Sequence, residues 1–122
     1  MSLTEARQSL LDKLNAAEID TYYGWGAFSA PCARIFPGEP WVGISGLAGG
    51  RRTQRWEVWA VAGRVDANAT FDELETLVQS INAAVNGIPD FGYVEWHRPA
   101  SVEMGGARYF AARGVIETLK EA

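Results

Sequence analysis

The chain has 122 residues, 48% of them hydrophobic and five of them Trp, which is enough for one domain with its own core and too little for two. Its formal net charge of −4 weighs against a generic nucleic-acid binder, since such proteins carry a basic domain or stripe. A single cysteine, Cys32, excludes an internal disulfide framework and a cysteine-rich zinc site, and it fits a reducing cytoplasm.

The start "MSLTEARQSLL" lacks the basic-then-apolar pattern of a signal peptide, and no apolar run approaches the ~18–20 residues of a membrane span. A soluble domain made inside the cell is expected. Ser2 and Glu5 have capping-box spacing, and Leu3, Ala6, Leu10, Leu14 and Ala17 recur at helical spacing, so a helix is expected from Leu3 to Ala17. The segment "DTYYGWGAFSAPCARIFPGEP" reads as irregular. A short strand through Ala33–Phe36 fits there, and Pro31, Pro37 and Pro40 argue against a longer one.

Trp41–Leu47 and Thr53–Val65 form the first clear strand pair, with Gly49-Gly50 as the turn. In the second strand Trp56, Val58, Ala60 and Ala62 alternate with Glu57, Trp59, Val61 and Gly63. "ATFDELETLVQSINAAVNGIP" then reads as a helix with a capping box at Thr70 and Glu73. Its apolar stripe runs from Phe71 through Leu74, Leu77, Val78, Ile81 and Ala84 to Val85, with Gly87 at C′ and Pro89 beyond. A second hairpin pairs Tyr93–Met104 with Ala107–Leu119 across Gly105-Gly106. Pro99 marks its first strand as an edge or a bulge. The expected fold is α+β, a largely antiparallel four- or five-stranded sheet with two helices packed on one face.

Chemistry is scarce. "GLAGGRR" runs into a strand, whereas a phosphate cradle needs a helix N-terminus and a Lys-Ser or Lys-Thr, so no nucleotide loop is assigned. His97, the one histidine, lies with Tyr93 and Glu95 opposite Val94, Trp96 and Arg98, and reads as structural or surface. Cys32 reads as a small buried hydrophobe. One His and one Cys do not make a zinc site, and no catalytic, cofactor or metal residue is assigned.

Interface features remain. Arg51, Arg52 and Arg55 cluster near the first hairpin tip, either as a solvated turn or as a contact for acidic protein surface or passing DNA. Trp59 and Val61 face away from Trp56, so the second sheet face needs a cover. Either "YYGWGAFSAPCARIF" folds over it or a neighbouring subunit does. Trp41, Arg51, Arg52, Arg55 and Trp59 are therefore the candidate subunit or tube interface, being residue types enriched at interface hot spots.

Over nearly its whole length the chain resembles the tail terminator, or tail completion, proteins of long-tailed bacteriophages. The resemblance runs through the N-terminal "TEARQSLLDKL", the Pro-rich "APCARIFPGEPWV", "RRTQRWEVWAVAGR" leading into "ATFDELETLVQSINAAV", and the closing "GGARYFAARGVIET". It implies a non-enzymatic α/β domain assembling as a ring, typically a homohexamer, at the head-proximal end of the tail tube. Such a ring stops tube polymerisation and docks the head-completion or stopper protein. DNA passes its channel without specific binding, and the protein resides in the virion neck. Another neck or minor tail component, a small host ligand-binding domain and a small enzyme are the alternatives; the last would bring Cys32, His97 or a carboxylate together in one pocket.

Overall fold

The computed structural model describes residues 2–44, 51–64, 68–92 and 94–121. Among them the elements run α1 (Leu3–Ala16), β1 (Thr21–Tyr23), β2 (Cys32–Ile44), β3 (Arg51–Arg64), α2 (Asn68–Asn86), β4 (Glu95–Trp96), β5 (Ala100–Met104) and β6 (Ala107–Glu121). The strands form one open sheet in the order β1-β2-β3-β6-β4, with β5 also paired to β6, and every pair is antiparallel except β1 with β2. This is the expected α+β class. Six strands replace the four or five expected because Thr21–Tyr23 joins the sheet edge and because the outermost strand is broken into β4 and β5.

The capping box forms at the start of α1: the Ser2 backbone N–H donates to Glu5 Oε1 at 3.2 Å and the Glu5 N–H to Ser2 Oγ at 3.1 Å. Ala6, Leu10 and Leu14 are fully buried, so the predicted stripe faces the core. At α2 the sequence expectation is corrected. The helix begins at Asn68, so Thr70 sits inside its first turn, and Glu73 Oε1 instead accepts the Gly63 N–H at 2.8 Å. That bond ties α2 to the end of β3. Gly87 does not adopt the left-handed C′ conformation. The chain instead closes by Gly87 N–H to Ala84 C=O at 3.2 Å and Ile88 N–H to Val85 C=O at 2.9 Å, and Asp90 carries the positive φ of 68°.

The two helices lie side by side over one sheet face. Leu10 and Leu14 of α1, with Leu74, Ile81 and Val85 of α2, pack on Ile35 of β2, Trp56 and Val58 of β3, and Phe110, Ala112 and Ile116 of β6. Burying each such aliphatic side chain contributes about 1.5–3 kcal/mol. Phe71, the outermost residue of the α2 stripe, is half exposed but stacks edge-on against Phe110 at 4.4 Å.

β2 departs most from expectation: it is one continuous strand across both Pro37 and Pro40. Ala33 donates to Asp20 C=O and Ile35 accepts from Gly24 N–H, so the odd residues of β2 point their backbone groups toward β1. Pro37 continues that alternation beyond the end of β1, where its missing N–H removes no ladder bond. Pro40 falls within a bulge between Pro37 and Val42. The Gly49-Gly50 turn lies outside the described residues, as do Val65 and Asp66.

On the other side of the sheet, residues 91–92 and 94–104 run along β6 as an interrupted edge. Phe91 bridges Thr118, Gly92 donates to Glu117 C=O and His97 to Arg113 C=O, and the register shifts by one residue between Trp96 and Ala100, around Pro99. The turn into β6 uses Gly105 and Gly106 at φ of 56° and 84°, as a two-residue hairpin with positive φ requires. Trp96 folds over β6 and donates its Nε1–H to Asn82 of α2 at 2.7 Å. It fits because Gly114 has no side chain: a Cβ there would meet Val94 Cγ1 at 2.6 Å and the Trp96 ring at 3.0 Å. Gly114→Ala is therefore expected to lower stability by about 1–3 kcal/mol through overpacking, read as a lower urea midpoint with an unchanged m-value.

Candidate interface groove

Alternation along β3 and β6 sends Arg55, Glu57, Trp59 and Val61, with Tyr109, Ala111, Arg113 and Val115, to the face away from the helices. One half of that face is covered by the chain itself. Cys32, Val61 and Ala111 are buried there beneath Phe28 and Ala30 of the segment after β1, with Tyr22, Val102, Met104 and Tyr109 around them. Phe28 packs on Tyr109 with ring centroids 5.3 Å apart. Of the two covers the sequence allowed, the chain thus supplies one for this half of the sheet.

The other half is polar at its far end and aromatic near β2. Trp59, partly buried, donates its Nε1–H to Glu57 Oε1 at 3.2 Å, and Arg113 bridges Glu57 Oε2 at 3.4 Å and His97 Nε2 at 3.3 Å. Between this cluster and the free edge of β2 runs an open groove of about 610 Å³, walled by Trp25, Phe36, Trp41, Trp59 and Met104 and rimmed by Glu39, Glu57 and Glu103. Trp25 is 88% exposed and rests on Phe36 at 5.0 Å; Trp41 is 40% exposed and stands edge-on to Trp56 at 5.9 Å.

The β2 bulge places Trp41. Gly38 lies so close to β3 that a Cβ would come within 2.7–2.9 Å of Arg55 Cβ, C and O. The residues after it are displaced from the ladder and carry Trp41 to the groove. Of the residues expected at an interface, Trp41 and Trp59 both line this groove. Arg55 lies against the same bulge, but its Nε–H is held by Glu117 Oε1 at 2.7 Å within the chain. With both side chains partly exposed, that pair contributes about 0–1 kcal/mol. Arg51 and Arg52 enter β3 by their backbone, and their side chains lie outside the described residues.

Sequence reasoning missed Arg34. It occupies the second face of β2 and is 4% exposed, with its guanidinium carbon 4.5 Å from the Phe28 ring centre and 5.2 Å from that of Phe36. The available signal was its place in "CARIF", where alternation on a strand covered on both faces leaves an arginine inside. Reading the segment as short and irregular hid it.

Cys32 and His97 are not brought together. Cys32 lies on β2 and His97 on the outer edge, with β3 and β6 between them, roughly 14 Å of sheet at the usual strand spacing. Among the described residues, no three His, Cys, Asp or Glu side chains are grouped to hold a metal ion, and no helix is long and apolar enough to cross a membrane. No protein-family model matches this chain, and no curated protein matches it.

Burial pushes the Cys32 thiol up from 9.0 to about 11, outweighing the nearby Arg34 guanidinium, which pulls it down. The folded state therefore holds a proton that the unfolded chain releases earlier. This contribution to stability is complete below about pH 9 and is lost as the pH rises toward about 11. Urea midpoints measured across that interval should fall more steeply for the wild type than for Cys32→Ala; parallel curves would refute the assignment.

Proposed function

We propose that the chain is a structural protein that assembles with copies of itself into a ring on the head-proximal end of a bacteriophage tail tube. There it ends tube polymerisation and presents the surface on which a head-completion or stopper protein docks. The observation that carries the reading is the half-covered second sheet face, where Trp25, Trp41 and Trp59 remain partly or largely exposed beside an acidic rim. Contiguous exposed aromatics of this kind mark protein interfaces. The ring arrangement, the hexamer and the place in the virion neck come from the resemblance of the sequence to tail terminators.

In this reading Trp41 and Trp59 belong to the subunit contact. Arg51 and Arg52 meet acidic residues of the neighbouring subunit or of the tube. The net charge of −4 suits a channel that lets DNA pass, because each added Lys or Arg contact would strengthen a salt-dependent grip on phosphate. Two copies meeting head to tail through unlike surfaces close a ring when the rotation between them divides a full turn.

Tail length in lysates lacking this gene, measured by negative-stain electron microscopy, tests the function directly. Overlong, headless tubes are expected, and normal tails on filled heads would reject the reading. At the level of contacts, Trp59→Ala and Arg55→Glu should each weaken self-association on the order of tenfold or more, with an unchanged far-UV circular dichroism spectrum. Wild-type sedimentation by both variants would remove these residues from the interface.

A further inference from the structure

We propose that the groove between β2 and β5 is the socket into which a neighbouring copy of the chain inserts an acidic side chain, with Arg34 as its anchor. The inference rests on the ring reading and names the chemistry of its contact.

Arg34 is the reason. A guanidinium carries five N–H donors and a permanent charge. Here Nη2 donates to Gly24 C=O at 2.9 Å, Nη1 reaches only the weakly accepting Sδ of Met104 at 3.7 Å, and Nε–H is buried without an acceptor. Among the described residues no carboxylate lies within ion-pair distance of it. Glu57, which shares the groove, is taken by Trp59 and Arg113. Stacking between Phe28 and Phe36 eases the burial of the cation without supplying a counter-charge. Buried charge without a partner carries a large desolvation penalty, which a carboxylate at hydrogen-bond distance relieves.

The groove selects the form of that carboxylate. Its aromatic and thioether walls suit an apolar stem. Its rim of Glu39, Glu57 and Glu103 disfavours a doubly charged phosphate more than a single carboxylate held against Arg34. A second copy is the occupant that fits. The chain has 15 acidic against 11 basic residues, so copies hold carboxylates in surplus, among them the exposed Asp72 and Glu75 of α2. The socket is also continuous with Trp41 and Trp59.

The probe is 4-phenylbutanoate compared with its neutral amide, titrated into dilute protein and followed by tryptophan fluorescence. The acid is expected to bind about tenfold tighter than the amide in the wild type and equally in Arg34→Met. Trp25→Ala, at a site too exposed to matter to folding, should weaken both compounds alike. Equal affinities in the wild type overturn the Arg34 anchor without requiring any variant to fold, and so does a preference that survives in Arg34→Met.

Sedimentation of concentrated protein identifies the occupant. Dissociation of the self-associated species by the acid, and not by the amide, supports a neighbour's carboxylate. Acid binding that leaves assembly intact, or a wild type that does not self-associate, overturns the second copy as occupant. Tail length judges the ring reading separately, since overlong tubes with no acid preference would keep the ring and discard the socket.

Discussion

The structure turns on β3, whose stretch from Val58 to Ala62 is apolar on both faces. β3 sends Trp56, Val58, Ala60 and Ala62 toward the helices and Trp59 and Val61 the other way, and all but Trp59 are buried. An antiparallel strand in a two-layer domain ordinarily leaves one side polar and wet. Because β3 lies at the centre of the sheet between β2 and β6, its second face cannot be placed at an edge and must be covered. The segment after β1 is drawn across it for that reason, and Phe28 and Ala30 close over Cys32, Val61 and Ala111. The helices alone would leave this second cluster in water.

Small residues make the double covering possible. Ala60, Ala62 and Ala112 let the helices approach the sheet, and Gly114 leaves the space into which Val94 and Trp96 fold. Trp96 then ties the outer edge to α2 through Asn82, so a helix, a central strand and an edge strand share one packing unit. On the second face the same logic stops halfway. Where Ala111 and Val61 give way to Trp59 and Arg113, the residues become too large and too polar for the short segment to cover. The chain there forms an ion and hydrogen-bond cluster and leaves the groove open.

Most of the fold was legible where local physics decides it. The Ser2–Glu5 box, the helical stripes, the alternation of β3, the Gly105-Gly106 turn and the interruption near Pro99 all follow from neighbours in sequence. What was not legible depends on distant partners. Pro37 is harmless only because β1 ends at Tyr23, and Pro40 only because the bulge holds it out of register. Glu73 left its expected cap because Gly63 offers a donor at the end of β3. Trp41 and Trp59 were singled out by residue type and alternation, and both line one groove. The burial of Arg34 was not read. Its place in "CARIF" signals burial only once the strand is known to be covered on both faces, and that cover, Phe28, comes from the segment before the strand folding back over it.

The free edge of β2 bears on how copies of this chain would meet. Among the described residues no strand pairs with its outer side beyond Ile35, and an open edge of that length is ordinarily a template for adding a foreign strand. Pro37 and Pro40 remove backbone donors from that stretch and the bulge breaks its register, so strand addition is disfavoured there. Contact at this edge must instead run through side chains, and those on offer are Trp25, Trp41 and Val42. Main-chain pairing would accept almost any extended segment, and an unlimited stack of such pairings grows into fibres. A contact made by Trp faces around a buried, unpaired arginine accepts only a partner with the matching shape and charge. Self-assembly of the proposed kind needs that discrimination, because a ring that closes must reject every contact that would let it go on growing.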